Sequence, residues 1–127
     1  MIRLLFALIL LYSGVALSAE RCSESCSVSF MHIISKPTAY NDKAIIIRGV
    51  FSYVDGEAYL YPSSEMMKLQ FSENALTLDI SGMEDEVLRR LSNKFVFVRA
   101  TFLSTNVGRH GLTNGLLTDV HIEEIVL

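Results

Sequence analysis

The sequence holds no nucleophile elbow, no glycine-rich phosphate loop, no zinc-ligand spacing and no spaced carboxylate dyad. Each absence removes a class of chemistry, and together they point away from catalysis and toward binding. Clustered cations are missing as well. With 14 Asp and Glu against 11 Lys and Arg the formal net charge is −3, and such a surface repels phosphate backbones, whose binding depends on concentrated positive charge. Nucleic acid is therefore not an expected partner. The 3 histidines, His32, His110 and His121, stand far apart and show no metal-ligand spacing. No resident metal and no cofactor are expected. The apolar run from Leu4 to Tyr12 is much shorter than the roughly 20 residues that span a bilayer, so no stable membrane span is expected in the mature chain.

The start of the chain has the three parts of an export signal: Arg3 supplies the positive charge, "LLFALILLY" the apolar middle and "SGVALSA" the small-residue end. Cleavage is expected after Ser18 or Ala19, which divides the chain into a signal peptide over 1–19 and a single domain over 20–127. The expected location is periplasmic or secreted. A membrane anchor is the competing reading, and the shortness of the apolar run argues against it. Cys22 follows "AER" rather than small residues, so lipid attachment there is not expected. Loss of Arg3 leaves all 14 acidic residues and a net charge of about −4, which keeps the phosphate-backbone argument in force.

Two cysteines, Cys22 and Cys26, follow the cleavage site. An oxidising compartment favours a short-loop disulfide between them. On a regular helix, Cβ atoms at i and i+4 lie about 5–6 Å apart, beyond the roughly 3.8 Å of a bridge, so a bridge requires "CSESC" not to be helical. The alternative is a soft-metal site. Paired thiolates suit Cu(I), with Met31 and His32 as further ligands, but two cysteines at this spacing are weak grounds for it.

Along the mature chain, "SVSFMHIIS" over 27–35 has near-helical apolar spacing and ends before Pro37. The phrase "KAIIIRGVF" from Lys43 then reappears as "KFVFVRATF" from Lys94. Alternation in the first copy puts Ile45, Ile47, Gly49 and Phe51 on one face, and Ile46, Arg48, Val50 and Ser52 on the other. In the second copy Val96, Val98, Ala100 and Phe102 face inward. A glycine inside a strand marks a bend or bulge, which places a curl at Gly49. Asp55-Gly56 predicts a hairpin into a second strand, "EAYLYP". An irregular stretch follows, with a helical turn begun at Ser63 or Ser64, and then a third strand, "ALTLDI", with Leu76, Leu78 and Ile80 inward. "SGMEDEVLRRLSNK" changes to helical period, with acids first and Arg89 and Arg90 last, as the helix dipole favours. Asn93 supplies a left-handed stop. After the fourth strand comes a long polar loop, "STNVGRHGLTNG", and a last strand, "LLTDVHIEEIV".

Strand, strand, strand, helix, strand, strand is the layout of a five-stranded, OB-fold-like Greek-key barrel, mainly β, with a helix between strands three and four and a short helical segment near the N-terminus. It accounts for the repeated phrase, because the first and fourth strands both curve round the core and pair with each other. Within "SKPTAYNDKAIIIRGVF", the residues Pro37, Tyr40, Lys43 and Gly49 form a Pro-x-x-Tyr, turn, lysine and strand element. This resembles the entry to exported bacterial OB-fold proteins of the tRNA-anticodon-domain-like type. The glycine often found before that lysine is Asp42 here, and Asn93 takes the equivalent place before Lys94; both residues tolerate turn geometry. RNA binding is not carried over to an acidic, exported chain.

Such barrels usually bind on the face of strands two and three, flanked by the loops between strands one and two and between four and five. That mapping selects Tyr59, Tyr61, Thr77 and Asp79 on the sheet and Arg109 and His110 in the long loop as ligand-binding candidates. Tyrosines on such a face stack on sugars, rings or a partner protein; the alternative is plain cross-strand packing. Arg48 and Arg99, related by the repeat, form either an anion clamp or ion pairs with Asp119 or Glu123. The expected function is an exported, non-enzymatic binding or inhibitory module for an envelope protein or a small polar ligand. Copper handling through Cys22 and Cys26 is the alternative.

Overall fold

The computed structural model describes residues 26–104 and 113–126. Among the described residues six strands and three α-helices follow one another: β1 (Cys26–Ser27), α1 (Phe30–Ser35), β2 (Lys43–Val54), β3 (Glu57–Tyr61), α2 (Ser64–Lys68), β4 (Leu76–Leu78), α3 (Asp85–Leu91), β5 (Phe95–Leu103) and β6 (Leu116–Glu124). The hydrogen-bonded order β1-β2-β3-β4-β6-β5, with β2 also paired to β5, closes five strands into the expected Greek-key barrel. Its helix α3 sits between the third and fourth barrel strands, and β1 is an added edge piece that pairs parallel with Ile45 and Ile46.

Alternation builds the interior. Ile45, Ile47 and Phe51 of β2, Leu60 of β3, Leu76 and Leu78 of β4, Val96, Val98, Ala100 and Phe102 of β5 and Leu117 of β6 are all buried, joined by Ile33 of α1 and Leu88 and Leu91 of α3. Burying side chains of this size contributes roughly 1.5–3 kcal/mol each.

The two copies of the repeated phrase run antiparallel along their whole length, from Lys43 opposite Phe102 to Val50 opposite Phe95. The residue before each lysine, Asp42 (φ 62°) or Asn93 (φ 68°), is left-handed. Each donates its backbone N–H to the phenylalanine that ends the other copy, Asp42 to Phe102 and Asn93 to Phe51, both at 2.7 Å.

Gly49 lies where β2 turns from one edge partner, β1, to another, β3. A Cβ there would meet the Tyr61 carbonyl oxygen at 2.6 Å and Leu60 Cγ at 2.8 Å. The glycine is thus required by close approach between strands. Past this point β2 departs from simple alternation, because Val50 and Ser52 on the outer side are also buried. The helix α2, capped by the Ser63 hydroxyl accepting from Met66 N–H, lies against β2 and β3.

Other boundaries shift for local reasons. The first helix begins at Phe30 because the Ser29 side chain caps it by accepting from His32 N–H, while Ser27 joins the sheet. β4 is shorter than the "ALTLDI" pattern suggests, since Asp79 folds back onto Ser81. In β6, residues 119 and 120 together oppose Ala100, a bulge with Asp119 at φ 52°. It reverses the phase, so Leu117 before it and Val120 and Ile122 after it all pack on the core. The Pro37–Tyr40 element forms a 3₁₀ turn whose Tyr40 packs on the core, and Asn41 Oδ1 accepts from Ser104 N–H at 2.9 Å, tying this entry to the end of β5.

Candidate functional site

The sheet residues expected to bind are neighbours on β3, β4 and the turn after it. Tyr59 stands opposite Thr77 in the β3–β4 ladder, half-buried, and its hydroxyl donates to Glu57 Oε2 at 2.5 Å. Tyr61, 6.4 Å from Tyr59 between ring centroids, is only 5% exposed, and burial raises its phenol pKa. Its neighbours Val50 and Ser52 are buried with it, on the stretch where α2 packs. The Thr77 hydroxyl bonds that of the buried Thr113 at 2.7 Å. Asp79 is exposed, but its Oδ1 accepts from both the N–H and the hydroxyl of Ser81, which hold its carboxyl below the usual range. It locks a turn. Arg109, His110 and Cys22 lie outside the described residues.

A second surface meets the requirements of a recognition site better. On the outer side of the β2–β5 ladder, Phe95 and Phe97 are 40% and 39% exposed, an unusual state for rings of that size. They point outward because the alternating Val96 and Val98 point inward. Arg48, directly opposite Phe97, places its guanidinium carbon 5.9 Å from that ring's centroid, within cation–π range. Arg99, opposite Ile46 on one side and His121 on the other, is exposed. The expected ion pairs to Asp119 or Glu123 do not form: among the described residues the ion pairs are Arg89–Asp85 and Lys94–Glu124. The reason for Arg48 lies in the register, which offers it a phenylalanine rather than an acid.

Beside this face is an open pocket of about 560 Å³ lined by Ser27, Val28, Ser29, Phe30, Arg48 and Phe95. Its wall exists because Val28 N–H donates to the Ile46 carbonyl, after which the chain leaves the sheet and turns into α1. The arginines were legible as a repeated pair. The two phenylalanines were legible in principle too, since inward valines force the alternating residues outward.

Among the described residues no group of three or more His, Cys, Asp or Glu is placed to hold a metal ion, and no helix is long and apolar enough to cross a membrane. Met31 is 61% exposed and His32 beside it is exposed.

The chain matches no family model and none of the curated proteins. Among solved structures it is similar to a protein assigned as an aspartyl-tRNA synthetase from Leishmania major Friedlin, at 14% sequence identity and a TM-score of 0.44, over 98% of this chain. The chain spans 27% of that protein's length. The strand order of the barrel itself, closed by β2 on β5, makes this an OB-fold protein by architecture.

Proposed function

We propose that this chain is an exported, non-enzymatic binding or inhibitory module that uses the outer face of β2 and β5 to hold a protein partner or a small polar ligand. One observation carries the reading: Phe95 and Phe97 stand about two-fifths exposed on one face, with the Arg48 guanidinium over the second ring within cation–π range. Aromatic and arginine side chains are the types that dominate binding energy at interfaces, and rings held on a barrel strand lose little entropy on binding. The periplasmic or secreted location rests on the charge, apolar and small-residue pattern of 1–19.

Affinity capture from the source cell's extracytoplasmic fraction tests the module. Wild type is expected to retain a specific set of proteins that a Phe95→Ala, Phe97→Ala double variant loses, while its thermal unfolding stays within a few degrees. An unchanged retained set would sink the reading. Tyr61 is too buried to serve as such a probe.

Copper handling through Cys22, Cys26, Met31 and His32 is the second reading, and the observation in its favour is the exposed Met31 thioether next to an exposed His32. Anaerobic titration of the reduced protein with Cu(I) decides it: no stoichiometric binding removes this reading.

A further inference from the structure

The geometry points to a site for a small monocarboxylate with an apolar body, seated in the pocket between Arg48, Phe95 and the Val28–Phe30 segment. The inference rests on reading the β2–β5 face as the recognition surface and names the ligand class taken there.

The volume suits such a ligand. At about 560 Å³ the pocket falls within the roughly 300–1,000 Å³ of small-molecule sites. Its walls divide by chemistry: Val28, Phe30 and Phe95 offer apolar surface, and Ser27, Ser29 and Arg48 offer donors. The Ser29 oxygen accepts from His32 N–H, which leaves its own proton free to donate.

Arg48 is the anchor. It is exposed and makes no ion pair among the described residues; the contact that positions it is the Phe97 ring. A cation–π contact at this distance uses none of the guanidinium N–H groups as hydrogen-bond donors, and their fork matches a carboxylate in two parallel hydrogen bonds. Arg99 lies one diagonal away across the same ladder, roughly 7–8 Å between such positions, and adds positive potential without blocking the fork.

The same neighbourhood disfavours more heavily charged anions. Glu123 stands opposite Phe97 and diagonal to Arg99. A phosphate dianion or a polyanion laid across both arginines would meet its carboxylate on a chain whose net charge is already −3. A monoanion held at Arg48, with its apolar part turned away from β6 toward Val28, avoids it.

The test is an NMR titration of the ¹⁵N-labelled chain with 4-phenylbutyrate, alongside its uncharged amide and inorganic phosphate. The expected result is saturable shifts of the Ser27, Val28, Ser29, Phe30, Arg48 and Phe95 amides with the carboxylate, and at least tenfold weaker binding of the amide and of phosphate. Arg48→Ala should weaken the carboxylate at least tenfold, and Arg48→Lys should fall between, because it keeps charge but not the fork. Arg48 is exposed, so dispersed spectra of the two variants establish that they fold. Equal binding of the amide, tighter binding of phosphate, shifts confined to other residues, or no saturable shift would each overturn the inference. Loss of partner capture by the Phe95→Ala, Phe97→Ala variant together with no carboxylate binding would leave the module standing and remove only its ligand class. Carboxylate binding with unchanged capture would remove the partner and keep the pocket.

Discussion

Ile47 and Val98 face each other across the β2–β5 ladder, and each is the central residue of its copy of the repeated phrase. Equivalent positions pair with each other at that point only, so a local two-fold axis passes between them. The matched 2.7 Å hydrogen bonds from Asp42 to Phe102 and from Asn93 to Phe51 are the two ends of that symmetry. The arginines follow from it as well: Arg48 opposes Phe97, and Arg99 opposes Ile46, the repeat's own equivalent of Phe97.

Because both central side chains are fully buried, Ile47→Ala is expected to cost about 2–5 kcal/mol and Ile47→Val about 0.5–1.5 kcal/mol. The double change with Val98→Ala should be non-additive by at least about 0.5 kcal/mol, as for residues in contact. Urea unfolding of the four species forms the cycle; strict additivity would argue against contact at the axis.

The left-handed residues at the two ends predict opposite effects for two substitutions. Asp42→Gly or Asn93→Gly relieves a backbone conformation that costs other L-residues roughly 1–2 kcal/mol, offset by unfolded-chain entropy of about 0.5–1 kcal/mol. Each is expected to be neutral or stabilising by less than about 1 kcal/mol. Valine at either place should destabilise by at least about 1 kcal/mol, measured as a lower denaturation midpoint.

Gly49→Ala should be worse than Gly56→Ala, although Gly56 has φ 78° and Gly49 does not need a positive φ. Nothing lies within 4 Å of a Cβ at Gly56, whereas one at Gly49 meets the Tyr61 backbone oxygen at 2.6 Å. Overpacking of this kind costs about 1–3 kcal/mol or more. Thermal melts of the two variants give the ranking, and the reverse order would mean that β2 and β3 separate easily.

Deleting Asp119 removes the extra residue of the bulge without turning any side chain over. Val120 is left alone opposite Ala100, and Leu117, Val120 and Ile122 share the inward face by plain alternation, so a single cooperative melting transition should survive. Loss of that transition would show that the bulge's local twist is needed to close β6 on β5.

Two hydroxyl partners set the pH behaviour. Ser81 lowers the Asp79 carboxyl pKa from 3.8, so its contribution is complete above that value and is lost as pH falls through the lower, folded one. The effect is small for so exposed a group, and Asp79→Asn should flatten the acid limb of stability without moving the neutral plateau by more than about 1 kcal/mol. At the other end, the hydrogen bond to Asp85 raises the Tyr53 phenol above 10.0; its contribution holds below pH 10 and fades as pH rises through the folded value. A Tyr53→Phe variant with an unchanged alkaline limb would contradict this.

Much of the barrel was legible because it depends on short-range rules. Alternation in "KFVFVRATF" assigned Val96, Val98, Ala100 and Phe102 to the interior, and all four are buried. Asp55-Gly56 made the hairpin, Ser63 capped α2, and Asn93 stopped α3 in a left-handed conformation. The site was less legible. Tyr61 reads as an outward ring, yet it is buried on the stretch of sheet where α2 packs, and no local pattern says which strand a short helix will cover. Asp79 reads as an available acid and instead closes its own turn with Ser81. Phe95 and Phe97 follow from alternation but read as ordinary β-forming residues until burial is known.

From residue order alone came the five barrel strands, their inward faces, the Ser63 cap, the Asn93 stop and the twin phrase, because each depends on neighbours a few positions apart. Only the folded chain decided that the twin segments pair antiparallel with Ile47 opposite Val98, that β6 carries a bulge which swaps its faces, and that an arginine lies over a phenylalanine instead of pairing with an acid. Those outcomes depend on register between strands some fifty residues apart, and register is settled by how all five strands close together.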